Sequence, residues 1–259
     1  MNKLKIALKY IRHIFTARHT KGYGVHSPFL FNFVRYIIPE KNAFYIYRDI
    51  EALRDKMLAD KRVIDLKDYG TGVDRRRKVS DIASRSLKSA KYSQLLFRIV
   101  HHFNPQTLLE LGTSLGITTA YLASNSSKSR CITLEGCPQT AGIARENFTK
   151  LQLGNIELVE GDINLTLKKV LEDIATLDFV FVDANHSSSA VLNYFELCLP
   201  LMKSNSVMVF DDIYWSDDME LAWKTIKKHE KVKATIDLFQ LGIVFFNADL
   251  NKKDYKIRY

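Results

Sequence analysis

The stretch Leu108-Leu109-Glu110-Leu111-Gly112-Thr113-Ser114-Leu115-Gly116-Ile117-Thr118-Thr119-Ala120-Tyr121-Leu122-Ala123 decides how the rest of the chain is read. Leu108 to Leu111 is a short apolar run, the pattern of a strand buried in a parallel sheet. Gly112 and Gly116 break it, and Ile117 to Ala123 resumes with helical character. Strand, glycine turn and helix start form the opening unit of a doubly wound α/β domain. In such a unit the backbone comes close to a ligand and the free N–H groups of the helix start face it. Glu110 narrows the ligand, because a carboxylate there repels a pyrophosphate but suits an ammonium group. The spacing is also Gly-x-x-x-Gly, not the Gly-x-Gly-x-x-Gly of dinucleotide binders.

Outward from this unit the alternation is regular. Strands are expected at 107–111, 130–135, 155–159, 177–183 and 206–211, and helices at 116–124, 139–152, 163–173, 187–201 and 217–229. Residues 232–247 give two strands with almost no connector, which only a hairpin allows, so the sheet should end antiparallel. The expected fold is α/β: a doubly wound, seven-stranded, mostly parallel sheet with a C-terminal antiparallel hairpin. Ser89 to Phe103, with Leu95, Leu96, Ile99 and Val100 at helical spacing, leads into it.

The N-terminal third differs. Of a net charge of +9, residues 1–91 carry 21 Lys/Arg against 9 Asp/Glu, while residues 92–259 carry 17 against 20. An anionic partner should therefore meet the N-terminal third first. Residues 3–18 read as a helix with Leu4, Leu8, Ile11 and Ile14/Phe15 on one stripe among Lys3, Lys5, Lys9, Arg12 and Arg18, with no acid before Glu40. Three readings stay open: a helix at an anionic membrane surface, one facing RNA, or one docked with a solvated basic face. Pro28 is expected to open a helix over Phe29 to Ile38, apolar nearly all round and hence buried. His26 is either a turn residue or a substrate contact. Residues 44–60 read as a mixed-charge surface helix. Val63 to Gly72 imitates a second glycine motif, but Val73-Asp74-Arg75-Arg76-Arg77-Lys78 follows with no helix start. That region is expected to be a polar loop or lid whose basic run is either solvated or phosphate-binding.

The chain length fits one domain with a substantial extension, 1–90 as a basic helical extension and lid and 91–259 as the α/β domain. Cys131, Cys137 and Cys198 form no Cys-x-x-Cys pair, which points to a reducing, cytoplasmic setting. No apolar run is long enough to span a bilayer, and the N-terminus lacks the apolar core of a secretory signal.

In an open α/β sheet, ligands sit beyond the carboxyl ends of the strands. Here those ends carry Glu110 with Gly112, Glu135, Asp162, Asp183 with His186, and Asp211-Asp212. Glu135, 19 residues after Gly116, is placed to accept both ribose hydroxyls of a nucleoside. Asp162 falls where an adenine amino group would lie. One terminal acid could cap a helix. Acids at five successive strand ends put like charges around one cleft, a costly arrangement unless a cation or hydroxyl donors bind there.

Acid-x-Gly-x-x-x-Gly after a buried strand resembles the first motif of class I S-adenosylmethionine-dependent methyltransferases. Together with Leu177-Asp-Phe-Val-Phe-Val-Asp-Ala-Asn-His186 and Val207-Met-Val-Phe-Asp-Asp-Ile-Tyr-Trp215, it resembles the catechol-type and related O-methyltransferases. The likeness runs from Lys91 to Asn247. It implies that Glu110, Gly112, Thr113, Ser114 and Gly116 surround the methionine part of S-adenosylmethionine, with Asp183 nearby. Glu135 would then hold the ribose, and Asp162 with the Ile163 backbone the adenine. It also implies a divalent ion, Mg²⁺ or another, on Asp183, Asp211 and Asp212. Two departures stand out: His186 where those enzymes usually have Lys, and Asp212 where many have Asn.

The expectation is therefore a methyltransferase acting on an oxygen of a small-molecule acceptor, with His186 or Asp183 taking the proton. His186 has an equal structural reading as the residue that caps the next helix or orients Asp183. The alternatives are an RNA methyltransferase, or a non-catalytic membrane- or partner-binding module on this fold. Asp183-Ala-Asn-His lacks the Pro-Pro-aromatic motif of exocyclic-amine methylation, which makes nucleic acid the weaker partner.

Overall fold

Apolar periodicity and glycine or proline punctuation set where the elements begin and end. The computed structural model describes residues 3–67 and 75–259; the Gly70 and Gly72 of the imitation glycine motif lie outside them. In chain order the helices are α1 (Lys3–Thr16), α2 (Pro28–Asn32), α3 (Tyr45–Ala59), α4 (Val79–Ser86), α5 (Ala90–Phe103), α6 (Ile117–Ala123), α7 (Pro138–Lys150), α8 (Ile163–Glu172), α9 (Ser188–Cys198) and α10 (Asp217–Lys228). The strands are β1 (Val63–Leu66), β2 (Arg75–Lys78), β3 (Thr107–Leu111), β4 (Arg130–Glu135), β5 (Ile156–Glu160), β6 (Leu177–Val182), β7 (Met202–Asp211), β8 (Ala234–Asp237), β9 (Leu241–Phe245) and β10 (Lys253–Lys256).

The fold is α/β with a mostly parallel sheet, and the chain packs as two units. Residues 41–173 form one. Here β3 and β5 flank β4 in parallel, with Leu109 opposite Ile132 and Thr133 opposite Leu158. Helices α3 and α4 share a core with α6: Ile50, Leu53, Met57, Ile82 and Tyr121 are all buried together. The burial of Tyr47, Ile50, Leu53 and Met57 at helical spacing makes α3 one-sided, with its charges on the other face.

The other unit joins residues 1–40 to 174–259, with strand order β10-β8-β9-β7-β6. β6 and β7 are parallel, and β9 lies antiparallel between β7 and β8. The hairpin is thus present, and β10 runs parallel to β8 beyond it, one strand more than the seven expected. β10 is polar apart from the buried Tyr255, so it shows no alternation to read.

Two expectations need correction. Arg75–Lys78 is no polar loop but a strand, paired antiparallel with Val63–Leu66. Its four basic side chains hid it, since strand patterning needs a buried face and Arg75 to Lys78 have none. The segment after Pro28 is buried on one side only: Leu30, Phe33, Val34 and Ile38 are enclosed, whereas Phe31 and Tyr36 are exposed. Its helix tightens into α2 with Ser27 as N-cap and then widens to π geometry over Phe33–Ile37, which rotates the apolar face.

Candidate active site

In residues 41–173 the candidate residues gather around the turn between β3 and α6. The N–H groups of Gly112 and Thr113 both donate to Leu134 O, at 3.0 and 3.2 Å, binding the turn to the end of β4. Gly112, Ser114 and Gly116 all have positive φ. At Gly116, the residue before α6, φ is +79°, and an added Cβ would lie 2.6 Å from the Phe148 ring on α7. Both the conformation and the close approach of α7 require glycine there.

The acids of this unit already have partners. Glu110 is fully buried, and its Oε2 accepts from the hydroxyls of Thr119 and of Thr133, the latter at 2.7 Å. Thr113 Oγ1 sits 2.6 Å from Thr133 Oγ1 and extends the chain of hydroxyls. At the end of β4, Glu135 accepts from the backbone N–H of Ser114 at 2.7 Å and of Cys137 at 2.8 Å. Burial pushes its carboxyl above the ordinary value, against the opposing pull of the backbone N–H groups at Cys137, Ser114 and Gly136. Asp162 caps α8, its Oδ1 accepting from Asn164 N at 2.9 Å, and Ile163 beside it is buried. The strand ends therefore present fixed carboxylates, two of them tied to backbone N–H groups.

In the other unit a second group forms at the ends of β6 and β7. Asp183, His186 and Asp211 bring one ligand atom each within 4.8 Å of one another. His186 Nε2 lies 3.6 Å from Asp183 Oδ1 and 3.6 Å from Asp212 Oδ2, so the imidazole stands between the two acids. Asp211 is buried as the last residue of β7, while Asp183 and Asp212 are partly exposed. Asn185 and Asp212 both take positive φ without being glycine, at 43° and 50°. That conformation costs a non-glycine residue free energy and concentrates at functional turns. Two carboxylates and an imidazole at this separation suit a divalent cation, and the imidazole favours a softer ion than Mg²⁺ alone would.

Several residues in these groups escape a sequence reading. Thr119 and Thr133 hold Glu110, and Asn147 Nδ2 donates 2.9 Å to Leu115 O inside the glycine turn. Thr133 left a signal, a hydroxyl in the middle of Cys131-Ile-Thr-Leu134. Asn147 left none, since the turn it holds lies 32 residues away. Trp215 flanks His186 with ring centroids 6.5 Å apart. Ser188 Oγ, at the start of α9, donates 2.7 Å to Asp218 on α10.

Residues 109–213 match the family described as a methyltransferase domain, a span that opens inside β3 and closes just after Asp211 and Asp212. Among solved structures the chain is similar to an O-methyltransferase from Bacillus cereus in complex with SAH, at 19% identity and TM-score 0.58, covering 79% of this chain and 92% of that one. It is similar to an SAH-bound methyltransferase from Podospora anserina, at 15% identity and TM-score 0.57, over 80% of this chain and 99% of that one. An O-methyltransferase of tomaymycin synthesis from Streptomyces achromogenes, solved with SAM, matches at 19% identity and TM-score 0.55, over 62% and 82%. Residues 109–213 thus match a methyltransferase-domain model, and the chain has the fold of these O-methyltransferases. Among the described residues no helix is long and apolar enough to cross a membrane.

Proposed function

We propose that the protein transfers a methyl group from S-adenosylmethionine to an oxygen of a small-molecule acceptor. The observation that carries this reading is Glu135, whose carboxylate is fixed by the N–H of Ser114 from the glycine turn and by that of Cys137. Its oxygens keep further lone pairs, so a ribose diol can donate to an acceptor already oriented. Gly112, Thr113, Ser114 and Gly116 with Glu110 take the methionine part, and Asp162 with the Ile163 backbone takes the adenine. SAM- and SAH-bound neighbours of the same fold support the cofactor.

Methyl transfer from a sulfonium is an in-line displacement, so positioning supplies most of the acceleration. His186 or Asp183 accepts the proton that the acceptor oxygen loses. Alternatively, Asp183, Asp211 and His186 would hold a divalent ion, with Asp212 at the edge of the group; when bound, such an ion would lower the pKa of the acceptor hydroxyl, and His186 would then be its ligand and not the base. We read residues 1–90 as an extension and not a domain of their own, since 1–40 pack with 174–259 and 41–90 with 91–173.

Calorimetry with S-adenosylmethionine tests the cofactor, and labelled S-adenosylmethionine screened over hydroxyl-bearing acceptors tests the transfer. Absence of binding by the wild type, or equal binding by Glu135→Ala, would overturn the assignment. Once an acceptor is found, full turnover in excess chelator would remove the metal and leave His186 as the base.

A further inference from the structure

Helix α1 is apolar on two opposite faces. One is docked within its unit. Lys5 and Lys9 pair with Asp217, and Lys9 also with Glu220 at 2.7 Å, in the first turn of α10. The ring of Tyr10 meets that of Phe239 edge-on with centroids 4.9 Å apart. His13, buried, stands 3.1 Å from Ile257 O and 3.4 Å from Asp237 Oδ1, and Ala17 closes the seam. Arg258 Nε returns a hydrogen bond of 2.9 Å to Ile14 O.

The opposite face carries Leu4, Leu8, Ile11 and Phe15, exposed by 67%, 58%, 50% and 79%. At about 100° per residue these four fall within an arc of roughly 60°. A helix that served only to dock would put polar residues there. Scattered exposed apolar residues need no explanation, but four on one line form a surface.

Within α1 itself the charge has one sign. Residues 1–40 contain seven Lys/Arg and a single acid, Glu40. Lys5 and Lys9 face the acids of α10, while Arg12 lies beside Leu8 on the wheel and Arg18 follows the end of the helix; both are exposed. We propose that α1 is a membrane-surface helix: its Leu4, Leu8, Ile11 and Phe15 stripe enters the interface of an anionic lipid bilayer, with Arg12 and Arg18 at the headgroups.

Three observations select lipid over other occupants. A second copy meeting this face about a two-fold axis would bring the basic residues against themselves. The stripe is also small: a 14-residue helix is about 21 Å long and offers roughly 200 Å², against about 800 Å² per partner in a stable interface. RNA is taken by stacking on aromatic or Arg planes, and three of the four stripe residues, Leu4, Leu8 and Ile11, supply none. An in-plane amphipathic helix, by contrast, needs apolar residues on one face and cations flanking it. With 14 residues α1 is too short to span, so it lies in the surface.

The test is flotation of the full chain with vesicles of phosphatidylcholine containing about one-third phosphatidylserine, against vesicles of phosphatidylcholine alone. Wild type should partition at least about tenfold more strongly onto the anionic vesicles, and raised salt should weaken that preference. The Leu8→Asp/Phe15→Asp and Arg12→Glu/Arg18→Glu pairs should each lose about tenfold or more, with thermal unfolding unchanged because all four side chains point outward. Should the aspartates perturb the helix, Leu8→Ser/Phe15→Ser removes the stripe without adding charge and should lose binding likewise. No wild-type binding, or equal binding by wild type and the stripe variants, would overturn the proposal. So would a solution dimer that the stripe variants dissociate while no vesicles are bound, or binding to single-stranded RNA that anionic vesicles do not displace.

Discussion

The two groups of acids differ in what surrounds them. In residues 41–173 the carboxylates are hydrogen-bonded by the fold itself: Glu110 by Thr119 and Thr133, Glu135 by Ser114 and Cys137, and Asp162 by Asn164. In the other unit, His186 stands 3.6 Å from both Asp183 and Asp212, longer than a hydrogen bond, on turns that hold Asn185 and Asp212 at positive φ. The first arrangement orients its carboxylates through groups of the fold itself. The second brings two acids and an imidazole within 4.8 Å of one another.

Substitutions can break that contrast. The largest effect is expected at Glu135: replacement by Ala should weaken S-adenosylmethionine binding about a hundredfold or more, as loss of a pair of charge-assisted hydrogen bonds, measured by calorimetry. Its carboxyl titrates above the ordinary 4.5 because of burial, and the ligand hydroxyls favour the charged form. Affinity should therefore be full well above that raised value and fall as pH drops through it, at higher pH than an exposed glutamate would show. Glu135→Gln should bind weakly and lose this acid limb.

Next comes Gly116→Ala, where the new Cβ meets Phe148 at 2.6 Å with φ at +79°. A stability loss of about 2–4 kcal/mol is expected in denaturant unfolding. A smaller loss, about 1–3 kcal/mol, is expected for Thr133→Val, which deprives the buried Glu110 carboxylate of a donor. Asp183→Asn should behave in the reverse way. It should abolish turnover while changing stability less than Thr133→Val does, since Asp183 is partly exposed whereas Glu110 is fully buried. If Asp183→Asn destabilises the fold as much as Thr133→Val, the contrast between the two groups fails.

The smallest effect is expected at the inner face of α1. The pairs from Lys9 to Asp217 and Glu220 lie near the surface, and Lys9→Ala should cost at most about 1 kcal/mol. Lys5 first and then Lys9 hold the Asp217 carboxyl down at about 2. Its contribution is present above the ordinary aspartate range and is lost as pH falls toward 2. Thermal unfolding between pH 5 and 2 should therefore show a shallower decline in Lys5→Ala/Lys9→Ala than in the wild type.

Much of this was legible in the residues. The strands at 107–111 and 130–135 begin and end where the sequence places them, because apolar runs bounded by glycine, proline and charge admit few other readings. The acids at the strand ends were legible for the same reason: a doubly wound sheet puts every such end on one side. The Arg75–Lys78 strand and β10 were not, because each is a short strand with at most one buried residue and so carries no period-two signal.

The sequence by itself determined the fold class, the glycine turn and which acids terminate strands, all of which follow from local order along the chain. Only the tertiary structure decided which groups hold Glu110 and Glu135 and which side chains come together. The partners of Glu110 lie 9 and 23 residues away, and the amide that holds Leu115 O lies 32 residues away. Asp237, the acid beside His13, belongs to a strand more than two hundred residues further on. It also decided that α1 turns Leu4, Leu8, Ile11 and Phe15 away from the body of its unit. The helical spacing of residues 3–18 shows that the helix has faces of different character. Which one is covered depends on the elements that pack against it, and those come from the far end of the chain.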